Sequence, residues 1–379
     1  MALIDNTDIT EEQIALDGLN ALDNKYQKSI GFFAWDYFVS TGKILYNLWQ
    51  KVIYIAKCLT DLSNMDYSDL VNFVFQTRGL RAKTSTKANG LLTLTSGSGL
   101  VSVGDTFSTA SGIEFVSTEE KTLAQNDTFH VECIEEGSVG NVGANTITVI
   151  PTTIQGFVSV TNENAFTNGY DDETKEDLLE RYYDDIQKPI TSGNVYHYMK
   201  WAKEVTGVGD AKVKPLWNGD NTVKVVIINS NKEVPSADLI SAVQDYIDPY
   251  ELVEGVKVGW GCGNGQAPIG AYCTVVGATA KNLSIVITDL TIKSGAVLDE
   301  VKDNIETSIT TYLKDIAFSE VITYISYAKI GALIMDSEGV MDYASYTLNG
   351  DTDNVLLTDD NSSTEVGVLS SITYNTTGV

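Results

Sequence analysis

From Leu45 onward the apolar residues recur at alternating steps of three and four, through Leu48, Val52, Ile55 and Leu59 to Leu62. That spacing is the a/d seam of a heptad repeat on a helix. It is too short for a free-standing coiled coil. Trp49 and Ala56 fall at e positions beside the seam and widen the apolar face, as on a helix covered by more than one neighbour. Upstream, Ile30, Phe32, Phe33, Trp35 and Phe38 form a dense aromatic patch. Residues 1–77 are therefore expected to be helical. The seam is either core within the chain or one wall of a bundle shared between subunits.

Residues 78–168 change character. Short alternating runs such as Leu92–Thr95, Ile113–Val116 and Thr128–Val131 are separated by turn signals at Ser96–Gly99, Gly104-Asp105 and Gly137–Gly143. The pattern predicts an antiparallel β domain.

Helical and strand patterns mix across residues 169–265 and 266–379. Asp171, Asp172 and Glu173 read as the acidic start of a helix Lys175–Tyr183. Ser192 is the expected cap of a helix Val195–Val205. Strands Ala211–Leu216 and Val223–Ile228 are joined by Asn218-Gly219, a hairpin signal. Pro235-Ser236 opens a helix Ala237–Ile247. Strands Ala271–Gly277 and Leu283–Ile292 follow, then helices Val297–Leu313 and Glu320–Ile334. The tail reads as strand at Tyr343–Leu348, Val355–Leu357 and Val366–Tyr374. Helix followed by a strand pair, repeated, predicts α+β layers with helices on one face of antiparallel sheets. The expected class is multidomain α+β: helical segment, antiparallel β domain, then helix-plus-strand-pair layers.

Composition narrows the function. Asp and Glu number 51 against 25 Lys and Arg, a net charge of −26. Such a chain is repelled by phosphate, so neither nucleic acid nor an anionic membrane surface is an expected partner. No apolar run approaches the roughly 20 residues that span a bilayer, and MALIDNTDIT does not read as a leader. The charge is unevenly laid out. Residues 24–90 hold nine basic residues and four acidic ones, whereas no basic residue follows Lys329. Lys43, Lys51 and Lys57 make a basic belt expected to dock on acidic surface of a neighbour.

Reactive constellations are hard to find. The two histidines, His130 and His197, have no second ligand at metal spacing. Cys58, Cys133, Cys262 and Cys273 are scattered, which favours reduced thiols over a disulfide framework. Gly259–Gly265 is glycine-rich but lacks a strand-to-helix phosphate-loop context, and reads as a flexible connection between domains. The acids at 171–173 and at Asp351, Asp353, Asp359 and Asp360 lack the spacing of an EF-hand loop. Four N-x-[ST] triplets, at Asn126, Asn282, Asn361 and Asn375, read as chance. No catalytic residue, cofactor or metal is expected, and the chain is not read as an enzyme.

One ordered set of motifs carries a resemblance. The run Glu136–Ile147 contains Gly137, Gly140 and Asn141. It leads through Gly156–Asn162 to Gly169-Tyr170-Asp171-Asp172-Glu173-Thr174, then to Arg181 and Gly193. Gly137, Gly140 and Gly143 are expected at positive-φ turns, with Asn141 tolerating left-handed backbone. Together these motifs resemble the baseplate J-like family of contractile phage tails and tail-like bacteriocins. The resemblance implies a wedge subunit that rings the central hub and transmits the trigger for sheath contraction. Implied partners are other copies of the chain (two per wedge, six wedges), a second wedge protein, the sheath initiator and hub or spike proteins. Tail fibres would act indirectly, and assembly would occur in the host bacterial cytoplasm. In that family the N-terminal helices form a bundle, which implies an intersubunit role for Phe38, Leu45, Leu48, Trp49, Val52, Ile55, Leu59 and Leu62. Two other readings stay open: a tail-associated enzyme degrading the cell surface, such as a glycosidase, and a peripheral receptor-binding module.

Overall fold

The computed structural model describes residues 9–188 and 190–375. Most of the stretch read for a leader, and the end of the Asn375 triplet, lie outside the described residues. The chain forms two compact units: residues up to Ala82 with Thr174–Gln187, and Lys83–Glu173 with the residues from Lys188 on.

The first unit is helical. It holds α1 (Glu11–Ala21), α2 (Phe33–Thr60), α3 (Tyr67–Arg78) and α4 (Lys175–Gln187). Thr10 and Gln13 form a reciprocal capping box at the start of α1, and Gly79 in left-handed geometry ends α3. α1 folds back along α2: a Cβ on Gly18 would lie 2.3 Å from the Phe38 ring, and one on Gly42 3.1 Å from Ala15. The glycines thus let two helices approach closely in antiparallel order. Leu70 and Val74 of α3 pack with Leu178, Leu179 and Tyr182 of α4. The fourth helix, read from sequence with the region that follows the β domain, belongs to this core.

The second unit begins with β1 (Lys87–Gly97), β2 (Gly99–Val101), β3 (Thr106–Thr109), β4 (Glu114–Ser117), β5 (Lys121–Leu123), β6 (Thr128–Glu136), β7 (Ile147–Val149) and β8 (Phe157–Thr161). Six of these form one antiparallel sheet in the order β7-β3-β4-β6-β1-β8. The sheet curls into a nearly closed barrel around Phe107, Phe115, Phe129 and Leu92.

A central domain follows: α5 (Val195–Glu204), β9 (Val208–Pro215), β10 (Thr222–Asn229), α6 (Ala237–Ile247), β11 (Glu251–Val253), β12 (Val256–Val258) and β13 (Tyr272–Gly277). Tyr198, Trp201, Leu239 and Val243 of its helices bury one face of the β13-β10-β9 sheet. The C-terminal domain comprises β14 (Thr279–Thr288), β15 (Thr291–Ile292), α7 (Leu298–Ile316), β16 (Tyr324–Ile325), α8 (Tyr327–Asp336), β17 (Val340–Asp342), β18 (Ser345–Leu348), β19 (Val355–Leu356) and β20 (Glu365–Asn375). Val301, Ile305, Ile309, Leu313 and Ile316 place the apolar stripe of α7 on Leu283, Ile285 and Ile287 of β14.

The class is α+β, with three local corrections. The two helix-backed sheets are mixed, not antiparallel: β13 runs parallel to β10, and β20 parallel to β14. Long connections that include helices permit this, since parallel neighbours need a crossover. Asn194, not Ser192, caps α5 by accepting from His197 N–H. No helix starts at Glu320, because the Ser319 hydroxyl accepts the N–H groups of Val321 and Ile322. That turn competes with helix, and α8 begins only after its own cap, Ser326.

Candidate assembly surface

Two apolar stripes run along α2. Gly42, Ile53 and Ala56 are buried and Trp49 is half-buried, so this stripe packs within the chain. At about 100° of rotation per residue, the second stripe lies about 90° round the helix. It consists of Leu45, Leu48, Val52, Ile55 and Leu59, which are 39–72% exposed. Leu62, in the 3₁₀ turn after α2, is half-buried in the core of the helical unit. Phe38 is half-buried against Gly18. Of the expected interface residues, then, five form a bare seam, while Phe38, Trp49 and Leu62 are engaged inside the chain. Sequence periodicity lumped the stripes because both satisfy helical spacing.

Lys43, Lys51 and Lys57 are all exposed and make no ion pair among the described residues. They do not share one face with the seam. Lys51 lies about 80° from its centre, and Lys43 and Lys57 about 160° away, on the same rotation per residue. The lysines and the seam therefore point in different directions.

The motif residues gather at the barrel's end. Gly169 N–H donates to Asn141 Oδ1 at 2.9 Å, and Asn141 Nδ2 donates to Gly169 O at 2.8 Å. One side chain thus imitates a strand partner. Asn141 itself is extended (φ −77°), so its amide, not a tolerance for left-handed backbone, explains it. Gly137 does have positive φ, but Gly140 and Gly143 do not. Gly140 is glycine because a Cβ would strike Cys133 and Ala88 at 2.7 and 2.8 Å, and Gly169 because one would strike Gly137 O at 2.3 Å.

The three acids are also reassigned. Asp171 accepts from Ser138 N–H and Oγ, each at 2.8 Å. Asp172 accepts from Ser85 N–H and Glu173 from Lys83 N–H. Asp172 and Glu173 fasten the chain entering the barrel to the chain leaving it, and Asp171 ties the leaving chain to the turn after β6. The start of α4 is served instead by Thr174, whose hydroxyl accepts Asp177 N–H. Arg181 Nη2 donates to Arg81 O within the helical unit.

Asn162 is the residue that sequence reading passed over, although it ends the matched run. It is fully buried. Its Oδ1 accepts the N–H groups of Thr146 and Ile147 at 2.9 Å, and its Nδ2 donates to Gly143 O and Asn164 O at 2.7 and 2.9 Å. It joins β7 to the end of β8 and so closes the barrel.

The glycine-rich run is a fastened loop, not a flexible connection. Buried Asp248 accepts from Gly261 N–H at 3.0 Å and Cys273 N–H at 2.9 Å, and Trp260 Nε1 donates to Cys273 O. Burial raises the Asp248 carboxyl, against the pull of the Cys273 and Gly261 N–H groups and Lys257. His197 stacks on Trp201 at 3.9 Å, and burial, with Lys200, lowers its pKa. His130 is exposed on β6. The four cysteines are free. Among the described residues no group of His, Cys, Asp and Glu is placed to hold a metal ion, and no helix is long and apolar enough to cross a membrane.

These arrangements define a scaffold: polar side chains join backbone to backbone, and one helix presents an uncovered seam. Residues 91–169 match the baseplate J-like protein barrel domain, 190–277 the baseplate J-like central domain and 283–375 the baseplate J-like protein C-terminal domain. The chain is 33% identical over 330 residues to the phage-like element PBSX protein XkdT of Bacillus subtilis (strain 168), across 84% of this chain and 88% of that protein. Baseplate protein gp47 of Escherichia phage Mu is 30% identical over 210 residues, 54% of this chain and 56% of gp47. A chain of the anti-feeding prophage baseplate aligns with 93% of this chain at 9% identity and a TM-score of 0.34, a likeness too loose to build on. The chain belongs to the baseplate J-like family and is a structural protein of a phage-type baseplate.

Proposed function

We propose that this chain is a wedge subunit of a contractile-tail baseplate, helping to ring the central hub and passing on the trigger for sheath contraction. The observation that carries the reading is the bare seam of α2. Five large aliphatic side chains stand open along one helix face, and burying each contributes about 1–2 kcal/mol, allowing for partial exposure. A bundle with helices of a second copy and of another wedge protein would cover them. Two copies per wedge and six wedges, assembled in the host cytoplasm against sheath initiator and hub or spike proteins, complete the proposal. Tail fibres would act on this ring indirectly. The switch would reside in interfaces with two discrete packings. The four sequence regions would then divide the work: 1–77 joins the bundle, and 78–168, 169–265 and 266–379 build the ring. The lysines, which stand off the seam on α2, would meet an acidic neighbour outside the bundle.

The test is co-expression with the neighbouring tail proteins and isolation of the complex. Leu48→Asp, Val52→Asp and Ile55→Asp together should abolish assembly while the free chain stays folded by circular dichroism. Assembly undiminished in the triple variant would overturn the reading.

A further inference from the structure

The central sheet has a second face, and the C-terminal domain covers it. Val226 and Ile228 of β10 pack with Ala278, Phe318 and Val366. Ala278 is the single residue between β13 and β14, and it is buried. Its N–H donates to Ile227 O and the next one, of Thr279, to Thr364 O, both at 2.9 Å. The chain thus passes from one sheet into the next with no slack.

Charged ties surround this apolar patch. Lys212 and Lys214 of β9 reach the two carboxylate oxygens of Asp359 at 2.8 and 2.6 Å. Lys224 donates to Asn361 O while lying over the Trp217 ring. Lys212 also lies over Phe318, 5.3 Å from the ring centroid. On another side Lys314 of α7 meets Glu233 at 2.8 Å. Thr364 adds a hydroxyl donor to Asp359 at 2.9 Å. A loosely hinged pair of domains would keep neither a shared apolar core nor part-buried lysines that depend on one carboxylate from the other side.

We infer that the central and C-terminal domains form one rigid lever, clasped at Asp359, so that a rearranging baseplate turns them together and bends elsewhere. The clause about the baseplate rests on the wedge reading; the clasp itself does not.

The experiment bridges the domains away from the clasp. Glu233→Cys and Lys314→Cys are introduced with Cys262→Ser, and the purified full chain is treated with a short bis-maleimide. High bridging yield is expected, and failure to bridge overturns the lever. Particles assembled from bridged chain should contract with a yield within about twofold of unbridged particles, as expected of a joint that does not open. Contraction lost only on bridging overturns the inference. A second variant, Asp359→Ala, is read by hydrogen exchange on the isolated chain. Exchange at the Thr279 and Ala278 amides should rise by about tenfold or more if the clasp holds the joint. An unchanged rate would refute it. Unbridged chain that enters no particle would sink the wedge reading alone, since bridging yield and exchange still decide the clasp.

Discussion

Asn162→Leu removes the barrel's closing amide while keeping a side chain branched at Cγ. Four side-chain hydrogen bonds disappear. The buried N–H of Ile147 and the part-buried N–H of Thr146 lose their acceptor, and each donor left unsatisfied costs about 1–3 kcal/mol. The total is about 4 kcal/mol. For a domain the size of this barrel, 1 kcal/mol lowers Tm by about 4–8 °C, so a fall of about 16–32 °C is expected. Calorimetry is the right assay, because the tryptophans, at 35, 49, 201, 217 and 260, all lie outside the barrel. A barrel transition should separate from the rest of the chain and move down. Asn162→Asp supplies an internal check through pH. Burial and the facing carbonyl oxygens of Gly143 and Asn164, set against the pull of the Thr146 and Ile147 N–H groups, would raise the new carboxyl above its unfolded value of about 3.9. A raised carboxyl makes its stability contribution below the unfolded pKa and loses it as pH rises through the folded one. The aspartate variant should therefore be more stable in acid than at neutrality. A leucine variant within about 1 kcal/mol of wild type would refute the closing role, because two unsatisfied donors cannot cost so little.

Other expectations follow from the same geometry. Ile53→Asp, on the buried stripe of α2, should destabilise the free helical unit by about 3 kcal/mol or more in denaturant titration, whereas Ile55→Asp should leave the free chain within about 0.5 kcal/mol. Lys43→Glu, Lys51→Glu and Lys57→Glu together should block wedge assembly without shifting Tm, and assembly at wild-type yield would count against a basic docking surface. Asp171→Ala, which loses both contacts to Ser138, should cost about 1–2 kcal/mol by calorimetry. Burial opposes ionisation of Asp359, but hydrogen bonds from Lys212, Lys214 and Thr364 outweigh it and hold the carboxyl below its ordinary value. A depressed carboxyl contributes stability above the unfolded pKa and loses it as pH falls through the folded one. The joint between the central and C-terminal domains should therefore loosen on acidification below about pH 4, seen as lower protection of the Thr279 amide relative to its intrinsic exchange rate at each pH.

What the sequence made legible was local and periodic. The β domain announced itself by alternation, and helix α6 by Pro235-Ser236 at its start. The family motifs were visible too, but their physical reasons were not. Asn141 looked like a residue tolerant of an unusual backbone, whereas its amide bridges to Gly169 across 28 residues of chain. Asp171 looked like a helix start because the partners that claim it, Ser138 N–H and Oγ, lie 33 residues upstream. The parallel pairing of β20 with β14 escaped for the same reason, since strand direction depends on where a distant connection returns. Two apolar stripes on α2 share one period, so periodicity alone does not tell which is covered; α1 covers the Phe38–Gly42 end of one of them.

The one-residue passage at Ala278 bears on how such chains diversify. Matches to the central and C-terminal domains stop and restart on either side of it, which makes it look like a natural cut for exchanging parts between relatives. A cut there would join a foreign β14 to a β10 whose outer face expects Phe318, Val366 and Asp359. Recombination that swaps the C-terminal domain alone should therefore yield misfolded hybrids, and viable exchange would carry the two domains as one heritable block.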